Sequence, residues 1–133
     1  MKTKTTIYTL PILAAFVAAM FLTACGGSSS VPNTPEAVAV KYYNAVLKGD
    51  VKTMSANASK KLQSTLPSAS QVKAMVAMMF GENGGVKSVE SGQVANYDTS
   101  AKVKLKLTFN KGGNDTVTLD MVKENDLWKV DDM

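Results

Sequence analysis

The sequence predicts an α+β domain in which helices precede an antiparallel sheet, and three observations carry that reading. Apolar residues recur at helical spacing from Thr34 to Phe80, they fall on every second position from Ala101 onward, and a glycine-rich turn from Gly81 to Gly85 divides the two patterns. The chain has 133 residues, of which 45% are hydrophobic and 20% charged, so it can build one core and not two.

Ahead of the domain, Lys2 and Lys4 form a short positive region, and Ile7 to Leu22 is apolar apart from Tyr8, Thr9 and Pro11. The stretch ends in Leu22-Thr23-Ala24-Cys25, which resembles the bacterial lipobox. The expected organisation is a lipoprotein signal peptide over residues 1–24, a lipidated Cys25 with a Gly/Ser tether over 25–33, and a folded domain over 34–133. The resemblance implies a diacylglyceryl group on the thiol, cleavage before Cys25, and acylation of the new amino group by a fatty acid such as palmitate. Several acyl chains anchor a protein to a membrane far more firmly than one. Gly26, which is not Asp, implies by the same resemblance an outer-membrane location facing the periplasm. The alternative is an uncleaved spanning helix, since Ile7 to Ala24 is 18 residues, but Pro11 interrupts it.

Helix one is signalled by Thr34 as N-cap, Pro35 in the first turn with Glu36, and Lys48-Gly49 at the far end. Val38, Ala39, Tyr42, Ala45 and Val46 are spaced for its inner face. Asp50 can cap a second helix from Val51, broken near Asn57 and ended by Leu66-Pro67, with Met54, Leu62 and Leu66 inside. Ser68 or Ser70 starts a third, in which Val72, Met75, Val76, Met79 and Phe80 form one stripe and Met78 lies off it.

Beyond the turn, Val86 to Tyr97 reads as a weak strand bulged at Gly92. Ala101 to Phe109 alternates cleanly, Val117, Leu119 and Met121 continue the pattern, and Asn125-Asp126 can turn the chain into a fourth strand carrying Trp128 and Val130. A three-residue turn at Gly112-Gly113-Asn114 would set Phe109 opposite Val117 and Leu105 opposite Met121. The same register pairs Lys106 with Asp120 and Lys102 with Glu124, leaving Lys104 unpaired, which favours a solvated, self-paired face over an anion site.

Thr34-Pro35-Glu36-Ala37-Val38-Ala39, Tyr42 to Asp50, Ala101 to Leu105 and Leu127-Trp128-Lys129-Val130 resemble small bacterial lipoproteins with domain of unknown function 4878, of the nuclear-transport-factor-2-like (cystatin-like) superfamily. The resemblance implies a cone: N-terminal helices packed on a curved antiparallel sheet of about four strands. Asn125-Asp126-Leu127 departs from it where relatives commonly carry an acidic residue and glycine.

Function is bounded mainly by what the composition lacks. Fifteen lysines stand against eleven acids, and without Lys2 and Lys4 the excess is slight, too weak for nucleic acid. With no His, no Arg and one Cys, His-dependent catalysis, arginine clamps and Cys/His zinc sites are excluded, and no cofactor or metal is expected. Asp126, Asp131 and Asp132 lack calcium-loop spacing and are expected to keep the chain end soluble. Ketosteroid isomerases of the superfamily place an acid in the apolar cone, whereas Ala101 to Phe109 and Val117 to Met121 offer no inward carboxylate here. The expected function is a non-catalytic module binding a small apolar ligand or an envelope protein. The alternatives are an isomerase-like enzyme and a secretion or toxin-immunity accessory. Candidate ligand contacts are Tyr42, Tyr43, Met75, Met79, Phe109 and Trp128, weighed against plain packing roles, with the methionines as core gap-fillers.

Overall fold

Capping fixes the helices one by one in the computed structural model, which describes residues 32–133. The signal-peptide, lipobox and spanning-helix expectations, Cys25 included, and all but the end of the tether lie outside the described residues. Helix α1 runs Pro35–Lys48: the Thr34 hydroxyl accepts from Ala37 N–H at 3.2 Å, and Gly49 closes the helix in the left-handed region. Asp50 caps α2, Val51–Asn57, with its carboxylate on Thr53 N–H at 3.1 Å and the Thr53 hydroxyl at 2.6 Å. Those two bonds hold the Asp50 carboxyl below the usual carboxylate range.

The expected break near Asn57 has a tertiary cause. Ala58 is extended and makes a parallel bridge to Val130, and Ser59 N–H donates to Val130 C=O at 2.7 Å. The Ser59 hydroxyl then accepts from Leu62 N–H, starting the short α3, Lys60–Gln63, and donates to Asp131 at 2.7 Å. This hydroxyl, with Lys61 at 3.2 Å, lowers the Asp131 pKa. Asp131 therefore ties helix to strand and is more than a solubilising end charge. Helix α4, Ala69–Phe80, begins at a complete capping box of Ser68 and Gln71 and runs into a 3-10 turn at Gly81–Asn83.

The sheet is a four-stranded antiparallel meander in sequence order: β1 Val86–Tyr97, β2 Ser100–Phe109, β3 Asn114–Glu124 and β4 Leu127–Asp132. Strand β1 is bulged at two places, one of them between Ser91 and Val94, where the sequence has Gly92. A Cβ on Gly92 would lie 3.1 Å from the Lys104 carbonyl oxygen, so β2 approaches closely enough to favour glycine. Asn125 and Asp126 both adopt positive φ and turn β3 into β4.

The β2–β3 register differs from the sequence expectation by four residues. Leu105 faces Val117, Val103 faces Leu119 and Ala101 faces Met121. Consequently Lys102 meets Asp120, at 2.8 Å, while Lys104 and Lys106 lie opposite Thr118 and Thr116. Glu124, expected beside Lys102, instead accepts from Lys60 N–H at 3.0 Å. The turn is built two residues earlier, at Asn110-Lys111-Gly112, because the glycine-rich segment holds it there. Asn110 N–H donates to Gly85 C=O and Lys111 N–H to Asn83 C=O, both at 3.1 Å, and the Asn110 amide reaches Gly84 C=O at 2.8 Å. Gly112, at φ 94°, takes the left-handed position that such a turn needs. A shift of four preserves which face each side chain occupies, so the core is unaffected.

That core joins Val38, Ala39, Tyr42 and Ala45 of α1 to Val103, Leu105, Leu107, Leu119, Met121 and Val130 of the sheet. Helix α1 packs on all four strands and on α2 and α4.

Candidate functional site: an apolar groove

The helices leave a groove of about 410 Å³ along the sheet. Helix α1 contributes Tyr42, Tyr43 and Val46, because residues three and four apart share its inner face. Met54 comes from α2, Leu62, Leu66 and Pro67 from α3 and the turn after it, and Val117 from β3. Helix α4 supplies Val72, Met75, Val76, Met79 and Phe80, the stripe legible in its sequence.

The stripe does not behave as a core face throughout. Val72 and Phe80 are buried, but Met75 is 53% exposed and Met79 62% exposed, so they stand at the rim of the groove and do not fill the interior. The gap-filling expectation is corrected for these two; Met78, at 84%, is exposed as expected. A groove needs walls that are apolar yet incompletely covered, and unbranched thioethers tolerate that with little strain.

Tyr42 and Tyr43 are both buried against this surface. Burial pushes the Tyr42 phenol up to about 12. Burial also raises Tyr43, and the Asp115 carboxylate adds to the shift. The Tyr42 hydroxyl is the one buried side-chain polar atom without a hydrogen-bond partner among the described residues. No charged side chain lines the groove. Among the described residues no group of three or more acids or cysteines is placed to hold a metal ion, and no helix is long and apolar enough to cross a membrane.

The structure thus brings four of the six candidate contacts together, Tyr42, Tyr43, Met75 and Met79, and places two elsewhere. Phe109 is not among the lining residues and packs on Phe80, ring centroids 5.8 Å apart and tilted by 35°. Trp128 is buried in the core; its backbone N–H donates to the Asn33 side chain at 2.6 Å, and the Lys123 ammonium lies 5.1 Å from its ring. Val46, Met54, Leu62, Leu66 and Val117 line the groove and were read from the sequence only as packing positions. Nothing local separates a groove wall from a core wall, since both require the same residue types.

No protein-family model matches the chain, and no curated protein matches it. Solved structures do. A candidate nuclear-transport-factor-2-like transpeptidase from Campylobacter jejuni is 19% identical, with 71% of this chain and 94% of that chain covered at a TM-score of 0.54. A SEC-C motif containing protein from Rhodopseudomonas palustris is 13% identical, with 75% and 77% covered at 0.55. Helices laid on one face of a four-stranded antiparallel sheet define an α+β domain, and the first of these likenesses gives its fold: nuclear-transport-factor-2-like. Identities this low speak for the fold and for nothing about activity.

Proposed function

We propose that the protein is a membrane-anchored bacterial envelope lipoprotein, with the domain of unknown function 4878 type of cone, whose folded domain binds a small apolar ligand without transforming it. The observation that carries the binding reading is the groove: about 410 Å³, walled, apart from Thr65, by aliphatic, aromatic and thioether side chains and by no charged one. Its volume falls within the roughly 300–1,000 Å³ of small-molecule sites. The titratable side chains that line the groove are Tyr42 and Tyr43, both raised by burial and so protonated at neutral pH, which supports binding over proton abstraction. Partly exposed Met75 and Met79 support the ligand over a merely structural hollow, because sealed cores bury their methionines.

The binding test is a titration of the full chain, carried in lipid nanodiscs, with 2-propylnaphthalene, followed through methyl-labelled methionines by NMR. Met54, Met75, Met79 and Met133 line the groove and should shift saturably, while Met78 and Met121, which are not among the lining residues, should not. Empty nanodiscs supply the correction for partitioning. A probe that moves none of the four leaves the groove without a ligand role.

The anchor rests on Cys25 and the apolar run before it. Replacing Cys25 with Ser should abolish incorporation of radiolabelled palmitate in the producing bacterium. Labelling equal to the unaltered chain would remove the lipoprotein assignment.

A further inference from the structure

Exposure sorts the side chains that line the groove. Among the described residues the exposed apolar ones are Met75, Met79 and Met133, at 53%, 62% and 57%, while the aliphatic and aromatic ones are buried or half-buried. Every exposed apolar side chain of the lining is therefore a thioether. The described residues hold no cysteine, so their exposed sulfur is that of these three methionines and of Met78, which is not among the lining residues. Met54 on the inner wall and Met121 in the core are each only 2% exposed.

We propose that Met75, Met79 and Met133 are a modification site: their oxidation to sulfoxides by hydrogen peroxide or an alkyl hydroperoxide makes the groove release its apolar ligand, and reduction by a thiol-dependent sulfoxide reductase restores it. This adds regulation to the binding reading above and rests on it. In the forward step the sulfur lone pair attacks one peroxide oxygen, the O–O bond breaks and an S–O bond forms. With hydrogen peroxide, the proton on the transferred oxygen leaves with the departing hydroxide as water; sulfur loses two electrons and the peroxide gains them. A pliable apolar wall becomes a polar one that holds water. An apolar ligand seated there would strip that water from the S–O dipole, and the lining offers little to replace it. No charged side chain lines the groove, both phenols belong to buried residues, and the Thr65 hydroxyl donates to Leu62 C=O at 3.0 Å.

The test uses the full chain in nanodiscs of saturated phosphatidylcholine, with 2-propylnaphthalene as the probe. After brief treatment with hydrogen peroxide, fragment mass spectrometry should find oxygen added to Met75, Met78, Met79 and Met133 before Met54 and Met121. Affinity, read through the Met54 methyl, should fall about tenfold or more. Incubation with two sulfoxide reductases, one for each epimer, should restore it, with dithiothreitol as reductant going to its disulfide and the oxygen leaving as water. Two variants attribute the effect, each compared only with itself before and after peroxide. Affinity should be unchanged by peroxide when Met75→Leu, Met79→Leu and Met133→Leu are combined, although Met78 still oxidises, and should fall in Met78→Leu as in the unaltered chain. Undiminished affinity with the three lining methionines oxidised would overturn the inference and leave the groove reading standing. So would a peroxide effect that persists in the triple variant, or affinity that stays low once the reductases have removed the oxygen. Oxidation of Met54 as early as that of Met75 and Met79, or loss of the native Met121 methyl signal, would overturn it too, since the core would then be the target. If the probe moves no groove methyl in the untreated chain, both readings fall.

Discussion

At the scale of single residues, Tyr42 carries an unmet polar atom inside the core. Its ring belongs to the core, while its hydroxyl, unpaired among the described residues, is a local fault in that core. Removing the oxygen should therefore stabilise the ligand-free fold: Tyr42→Phe is expected to gain about 1–2 kcal/mol in urea unfolding at pH 7. The pH dependence has a definite sign. The folded phenol titrates near 12 and the unfolded one near 10, so the folded state holds this proton more tightly. Its ionisation therefore leaves stability unchanged below about pH 10 and lowers it progressively as pH rises toward 12. The advantage of Tyr42→Phe over the unaltered chain should accordingly widen between pH 10 and 12. Tyr43, also raised, will leave a residual slope in the variant. A stability gap that stays constant across that window would mean that the phenol is hydrated in the folded state.

Elements divide by whether their determinants are local. Helix α1 was legible from Thr34 to Gly49 because cap, proline and terminal glycine lie within one short segment, and the Asn125-Asp126 turn was legible for the same reason. The β2–β3 register was not, since two three-residue turns were available and the choice fell to hydrogen bonds from Asn110 and Lys111 to residues 83–85, more than twenty positions away. Likewise the ends of β3 and β4 were read as solvated, whereas Glu124 and Asp131 hold the start of α3. Register can be checked by charge. A double-mutant cycle on Lys102 and Asp120 should show a small favourable coupling that fades with added salt, as expected of an exposed pair. Cycles on Lys106 with Asp120, or on Lys102 with Glu124, should show none, because the observed register separates them. Coupling in either of those, and not in the first, would restore the register that the alternation alone suggested. The solvated, self-paired character of the face survives only in part, with one cross-strand ion pair where two were expected.

For the whole molecule, the question is how one apolar surface can be both a core and the site proposed above. The same inner faces of α1 and α4 serve both ends: Ala39 and Val72 are sealed, while Met75 and Met79 on the next turns remain in contact with water. The groove exists because α2, α3 and the turn at Pro67 wall it without roofing it, and that arrangement depends on β4 drawing Ala58 and Ser59 out of helix. Stability and binding should then separate along the methionines. Met54 is buried at the inner wall, so Met54→Ala leaves a cavity and should cost about 2–5 kcal/mol. The double replacement Met75→Gln and Met79→Gln alters only exposed side chains and should change unfolding free energy by no more than about 0.5 kcal/mol. It should nevertheless weaken binding of 2-propylnaphthalene severalfold, because thioether contacts at the rim are exchanged for amides that hold water. Chemical denaturation and the probe titration on the same samples measure both effects. Loss of stability in the double variant as large as that in Met54→Ala would show that the rim methionines are core after all, and that the groove closes in solution.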